Sequence, residues 1–292
     1  MITVEPSSQP PVRYEGRVWV RIGSTNQLAS PEEEKRLGER RRAHDLPFDY
    51  RAVADATFED LNLFYFREEY LPQAVAPDIL ERNVRPIEQQ LQALRFLTQG
   101  SPNFGALICM GKDPLQWIPG AYVQVLRIDG AALTDPIRDQ KRLSGPMYQT
   151  LVELDELLKI NISTRTQITT GAREARLPDY PIAALQQLAR NAVMHRSYEG
   201  TNAPVRIYWF SDRVEIFNPG SLYGQVNKNN FGTGATDYRN PLIAEFMSTL
   251  GYVQKFGLGI PLAKEELARN GNPDPEFTFE PGNVLVTVRP RG

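Results

Sequence analysis

An α/β (α+β) fold is predicted by two patterns that alternate along the 292 residues. Segments with apolar residues at helical spacing are separated by short runs in which apolar and polar residues alternate, and Gly and Pro punctuate the joins. The composition agrees with a packed core: 41% hydrophobic, 23% charged and 10% aromatic residues exclude a wholly disordered or collagen-like chain. At roughly 150 residues per domain, the length suggests two domains, with a single large domain still allowed.

The first twelve residues open with a strand-like piece that a Pro/Ser run ends. Arg17 to Ile22 alternates as a strand and stops at the turn-forming 23–26. Ser30-Pro31-Glu32-Glu33-Glu34 is a helix start, with Ser30 as N-cap and Pro31 at the first position. Lys35, Arg36 and Arg40 to Arg42 then suit the helix's C-terminal end, and a charge run of this kind is usually a solvated face. Residues 57–71 read as an amphipathic helix ended by Pro72, and 86–99 as another. Two strands follow, 104–110 and 122–128, joined by a loop with Pro114, Pro119 and Gly120. Cys109, the only cysteine, sits in the first as a buried hydrophobe. Residues 145–159 form a helix and 162–168 a strand. These signals suggest a tail at 1–30, a helix-rich mixed middle domain at 31–160 and a second α/β domain at 161–292.

Charge excludes little by itself. The 33 basic and 35 acidic residues nearly cancel, so nothing global draws the chain to nucleic acid. Seven Lys against 26 Arg is a skew that bidentate anion contacts or GC-rich codon usage would equally produce. One Cys and two His make a zinc site improbable. No apolar stretch reaches the ~18 to 20 residues of a membrane helix, and the N-terminus lacks a signal pattern, so the expected location is the cytoplasm.

Residues 181–194 form a helix with Leu185, Leu188, Ala189, Ala192 and Val193 on one face. Beside that face Gln187, Asn191 and His195 recur every four residues and stack along one helix edge, as a solvated edge or as one side of a site. A hairpin of strands 203–210 and 213–217 follows, ending at Asn218-Pro219-Gly220. The stretch 221–240 is polar and glycine-rich, without a period. A helix at 241–250 and the run Phe256-Gly257-Leu258-Gly259-Ile260 lead into a last helix at 261–270. Two glycines before a helix let backbone N–H groups approach an anion, although Gly-x-Gly alone is a weak signal.

Taken together these pieces resemble the Bergerat-type nucleotide-binding fold of the GHKL superfamily, which includes gyrase, histidine kinases and MutL. More narrowly, Gln187 to Tyr198, Asp212-Arg213-Val214-Glu215-Ile216, Asn218-Pro219-Gly220, Tyr238-Arg239-Asn240-Pro241 and Gly257-Leu258-Gly259-Ile260 resemble the RecG-C-terminal-like ATPase domain of bacterial proteins, where it follows a Schlafen/AlbA-type domain regarded as DNA-binding. The segment Val20 to Thr25 resembles the closing strand of that preceding domain. The resemblance implies a GHKL/Bergerat-type α/β sandwich at 161–292, with 1–30 a remnant of an AlbA-type domain that is mostly missing.

The resemblance also implies roles. Asn191 stands where the superfamily places its Mg²⁺ ligand, and an amide oxygen suits a hard ion that keeps waters and phosphate oxygens. One turn earlier, Gln187 stands where a Glu would activate the attacking water, and an amide cannot take a proton, so no catalytic residue is assigned. Asn218 replaces the adenine-binding Asp. Gly257 and Gly259 match the phosphate loop, 221–240 the mobile lid, Arg239 a phosphate or lid contact, and His195 and Gly220 complete the nucleotide set. The expected cofactors are ATP and Mg²⁺. The reading is a transcriptional regulator or DNA-binding protein with a GHKL-like ATP-binding module whose hydrolysis is weak or absent. Two alternatives stay open: an active ATPase coupled to nucleic-acid processing, against which stands the lack of a Gly-x-x-x-x-Gly-Lys-Ser/Thr loop, or a degenerate module for dimerisation or partner binding. The expected partners are a nucleotide, a homodimer mate and, through a longer protein rather than this chain alone, DNA; no membrane is expected.

Overall fold

The computed structural model describes residues 12–22, 24–31, 33–34, 46–82, 85–168, 174–254, 256–280 and 282–292, and nothing is stated of the rest. Two compact units result, residues 1–47 and 48–292.

In the first unit β1 (Arg13–Tyr14), β2 (Arg17–Ile22) and β3 (Thr25–Leu28) form an antiparallel sheet in that order. β2 is the expected alternating strand, with Val18 on its buried face. Ser30 is the expected cap: its hydroxyl accepts from the Glu33 N–H at 3.2 Å, and the Glu33 carboxylate accepts from the Ser30 N–H at 2.8 Å. This reciprocal pair satisfies two donors that a helix start would leave orphaned. Lys35, Arg36 and Arg40 to Arg42 lie outside the described residues.

The second unit contains β4 (Leu97–Thr98), β5 (Ser101–Pro102), β6 (Val123–Ile128), β7 (Ile137–Leu143), β8 (Thr164–Ile168), β9 (Glu174–Pro178), β10 (Val205–Trp209), β11 (Val214–Pro219), β12 (Glu276–Glu280) and β13 (Asn283–Val288). Its longer helices are α1 (Ile87–Ala93), α2 (Phe104–Met110), α3 (Met147–Asn161), α4 (Ile182–His195), α5 (Pro241–Thr249) and α6 (Gly259–Asn270). Six strands form one mixed sheet in the order β12-β13-β11-β10-β6-β7, in which β10 and β6 run parallel and every other pair is antiparallel. The expected mixed α/β class holds.

Three elements differ from expectation: the helix expected at 86–99 stops at Ala93 and Leu97–Thr98 is strand β4, while the other two differ for a physical reason each. The run 104–110 is helix α2 and not a strand. Gly105 through Met110 are all buried, and an uninterrupted apolar run carries neither period. What decides it is Asn103, whose side-chain oxygen accepts from the Ala106 N–H at 2.9 Å and starts the helix. Cys109 is buried there, as expected of a hydrophobe. Between 57 and 74 the chain is broken into a 3₁₀ turn at Phe58–Asp60, an α turn at Leu63–Tyr65, a π turn at Phe66–Tyr70 and a further α turn at Leu71–Ala74. Pro72 therefore does not end the segment. It falls in the first turn of the last piece, where its missing N–H costs little.

The boundary expected near residue 160 lies inside the second unit. β6 contributes to the same sheet as β10, and one apolar core holds Phe66, Leu107 and Leu151 from before that position together with Leu185, Ile207 and Phe246 from after it. Composition and punctuation change near 160 because a helix hands over to the β8–β9 hairpin, not because the core ends there.

Candidate functional site

The stripe Gln187, Asn191 and His195 stands on α4, whose other face is buried against the core through Ala184, Leu185, Leu188 and Ala189. All three polar residues line one open-mouthed cleft. Its floor comes from the sheet. Ile216 and Asn218 are two apart on β11 and share a face. Their partners on β13, Val286 and Val284, sit directly opposite and line the cleft as well. The far wall is the 221–240 segment, through Tyr223, Phe231, Thr236, Asp237 and Tyr238. Gly257 and Gly259 close the end where α6 begins.

Each polar group has a definable state. The Asn191 side-chain nitrogen donates to the Gln187 carbonyl at 2.8 Å, one turn earlier on α4, so its oxygen is left as the acceptor. Asn218 is buried, and the amide orientation that satisfies its surroundings has its nitrogen donating to the Ala192 carbonyl at 3.1 Å, which again keeps the oxygen as acceptor. Burial first, and the Arg239 cation second, push the His195 pKa down to about 4, with a partial offset from the Asp237 carboxylate. His195 is therefore a neutral imidazole at physiological pH, and its ring stacks on Tyr238 with 5.9 Å between centroids. Asp237 accepts from the Gln225 N–H at 3.1 Å and from the Tyr238 N–H at 2.9 Å, tying the two ends of the lid segment together.

The glycines are there for close approach. A Cβ on Gly257 would lie 2.6 Å from the Thr236 methyl and 2.7 Å from the Gly234 carbonyl oxygen, and its φ of +69° already favours glycine. A Cβ on Gly259 would meet the Asn191 amide nitrogen at 2.6 Å and the Gln187 amide oxygen at 3.3 Å. The start of α6 is thus seated directly on the polar edge of α4. Leu258, its N-cap, makes no side-chain cap; Pro261 carries no N–H and Leu262 donates to the Leu258 carbonyl, so Gly259 and Ile260 are the residues whose N–H groups stand at this helix start.

Two expected residues stand elsewhere. Gly220 is not a lining residue; its N–H donates to the Gly282 carbonyl at 2.8 Å and its φ of +115° lets the chain turn away from β11. Arg239 is not a lining residue either. Its guanidinium donates to the Ser221 carbonyl at 2.9 Å and lies 4.7 Å from the Tyr223 ring centre, so it clasps the base of the lid segment. Asn240, beside it, donates to the Met194 and Arg196 carbonyls at 2.9 and 2.8 Å and joins the end of α4 to the start of α5.

Sequence reading missed Asp237, Tyr238 and Phe231, which face the cleft from a stretch with no period. It also missed the floor residues Ile216, Val284 and Val286, although the alternation Val214-Glu215-Ile216-Phe217-Asn218 already put Ile216 on the face of Asn218.

The residues present suit a nucleotide in outline: a buried amide acceptor at Asn218 and a half-buried one at Asn191, an apolar floor and helix N–H groups at a glycine approach. A metal would have to take most of its shell from phosphates and water, since among the described residues no group of three His, Cys, Asp or Glu could hold one. Among the described residues no helix is long and apolar enough to cross a membrane.

Fold and cleft together define an α/β domain with one polar-edged cleft between α4, the sheet and the 221–240 segment. Residues 202–288 match the family described as "Putative ATP-dependent DNA helicase recG C-terminal". Among solved structures, the DIP2311 protein from Corynebacterium diphtheriae is similar with a TM-score of 0.62 at 18% identity, over 99% of this chain and 56% of that one. At that identity the likeness is one of fold, and this chain spans little more than half of the solved chain's length. Comparison with curated proteins returns no match.

Proposed function

We propose that the chain is the nucleotide-responsive part of a bacterial regulatory protein, in which the cleft holds an adenine nucleotide and turns it over slowly or not at all. The observation that carries this is the convergence of Asn191, Asn218, Gly257 and Gly259, far apart in sequence, on one cleft. In this reading the Asn218 oxygen accepts from the adenine amino group, the apolar floor takes the base, and the α6 N-terminus faces the phosphates. Asn191 offers its oxygen to Mg²⁺, which would neutralise phosphate charge when bound. Gln187 has no proton to exchange, so it can orient a water and not activate one.

The finer parts of the proposal are that residues 1–30 belong to a Schlafen/AlbA-type domain, that the protein is a cytoplasmic transcriptional regulator, and that DNA is engaged by a longer form of it. Support for these comes from the resemblance of Val20 to Thr25 and of the motifs between Gln187 and Ile260. Equilibrium titration of the folded 292-residue chain with a fluorescent ATP analogue, with and without Mg²⁺, tests the central claim. Saturable binding displaced by unlabelled ATP is expected, and no binding at millimolar nucleotide overturns it.

A further inference from the structure

The charge of the cleft narrows its ligand further. Among the described residues that line it, the one acidic side chain is Asp237 and the one basic side chain is His195. His195 is neutral, so among the described lining residues the one formal charge is the Asp237 carboxylate. The Arg239 guanidinium, whose charge reaches His195, is not a lining group and is held by the Ser221 carbonyl and the Tyr223 ring. The Asn191 amide nitrogen is held by the Gln187 carbonyl and packs against Gly259, so the side chain turns only a neutral oxygen to a ligand. A buried acceptor and the apolar floor come together at Asn218, among Ile216, Val284 and Val286.

Moving a multiply charged anion out of water costs far more than hydrogen bonds to neutral donors return, unless opposite charge meets it. A carboxylate in the same half-enclosed space adds repulsion of the order of 1 kcal/mol at about 8 Å and an effective dielectric near 40. We infer that the cleft selects the uncharged part of the ligand: a purine nucleoside moiety supplies the affinity, and the phosphate chain adds almost none. This rests on the nucleotide reading above and differs from it in the ligand class, adenosine-like in place of triphosphate. The protein would then respond to a nucleoside or a mononucleotide rather than to the energy charge carried by ATP·Mg²⁺.

Isothermal titration of the full chain with adenosine, AMP, ADP and ATP, each with and without Mg²⁺ at constant ionic strength, reads this directly. The expected result is dissociation constants within about threefold of one another, with no gain from Mg²⁺. The variant Asp237→Asn, which keeps the side chain's size and one acceptor, is expected to raise the ratio of ATP to adenosine affinity by about threefold or more. Lys255, in the Gln254–Gly257 stretch but outside the described residues, is tested by Lys255→Ala, and the ratio is expected to stay the same. ATP·Mg²⁺ binding tenfold or more tightly than adenosine overturns this inference and leaves the nucleotide reading standing. A ratio that collapses in Lys255→Ala also overturns it, by identifying a phosphate-binding cation. If none of the four ligands binds the folded chain, the nucleotide reading itself falls, and this inference with it.

Discussion

The Asp49 carboxylate accepts a hydrogen bond of 2.7 Å from the backbone N–H of Leu242, 193 residues further along the chain. The same oxygen accepts from Ile243 at 3.1 Å, so Asp49 caps α5 in place of the helix's own N-cap residue, Asn240, which makes no cap bond. Asp49 is wholly buried, and Gly105 is the residue that lets it in, since a Cβ there would meet the Asp49 carbonyl oxygen at 2.8 Å and Leu242 at 2.5 Å. Replacing Asp49 by Ala leaves two buried N–H groups unpaired, and a loss of about 2 to 4 kcal/mol in urea unfolding is expected. A loss under about 0.5 kcal/mol would show that water replaces the cap.

The same carboxyl should be visible in the pH dependence of stability. Burial raises its pKa from 3.8 to about 6, against the lowering effect of the Ile243 and Leu242 N–H groups. A carboxyl raised on folding contributes most below its unfolded pKa, and that contribution is lost as pH rises from about 4 through 6. His195 acts in the opposite sense: with its folded pKa at about 4, the stability it contributes is complete above 6.5 and is lost as pH falls towards 4. Thermal midpoints measured from pH 4 to 7 should therefore separate them. His195→Gln is expected to flatten the acid-side loss, whereas Asp49→Asn gains on wild type as pH rises and levels off above 6. Parallel curves for all three proteins would refute both assignments.

How much of this could be read from the residues alone depends on whether a local period existed. The stripe Gln187, Asn191 and His195 was legible because helical spacing states which side chains share an edge, and all three do line the cleft. The 221–240 wall was not, since its geometry is set by bonds such as Asp237 to Gln225 and by glycines with positive φ at 224, 232 and 234. Asp49 was invisible for a different reason: nothing near it in sequence distinguishes a cap from any surface acid, and its partner lies almost 200 residues away. Helix α2 was misread because an all-buried run carries no alternation to betray its period.

Phe231 tests whether the lid segment is seated. Its ring lies 5.0 Å from both Phe277 and Phe279 on the edge strand β12, in edge-on geometry. Such pairs contribute about 0.5 to 1.5 kcal/mol each beyond area burial. Phe231→Ala is expected to raise amide hydrogen exchange across residues 221–240 by roughly tenfold, with exchange in α4 unchanged. Unchanged exchange in the lid would mean that Asp237 and Arg239 alone hold it.

Gln187 and Gly259 meet at the polar edge of α4. If the cleft lacks only a proton acceptor, Gln187→Glu supplies one at the position from which a water could be activated, and phosphate release from ATP should rise at least tenfold above the wild-type background. The carboxylate would come without changing the side chain's length, so its oxygen keeps the place that now stands 3.3 Å from the Cβ position of Gly259. Asn191→Ala in the same background should abolish the gain. Gly259→Ala forces its methyl to within 2.6 Å of the Asn191 amide, which must swing away or push α6 back, and a cost of about 1 to 3 kcal/mol in stability is expected alongside weaker nucleotide binding. Release that stays at background in Gln187→Glu, in a protein that still binds ATP, would mean that the missing charge for the phosphates, and not the missing base, is what keeps this cleft from hydrolysing nucleotide.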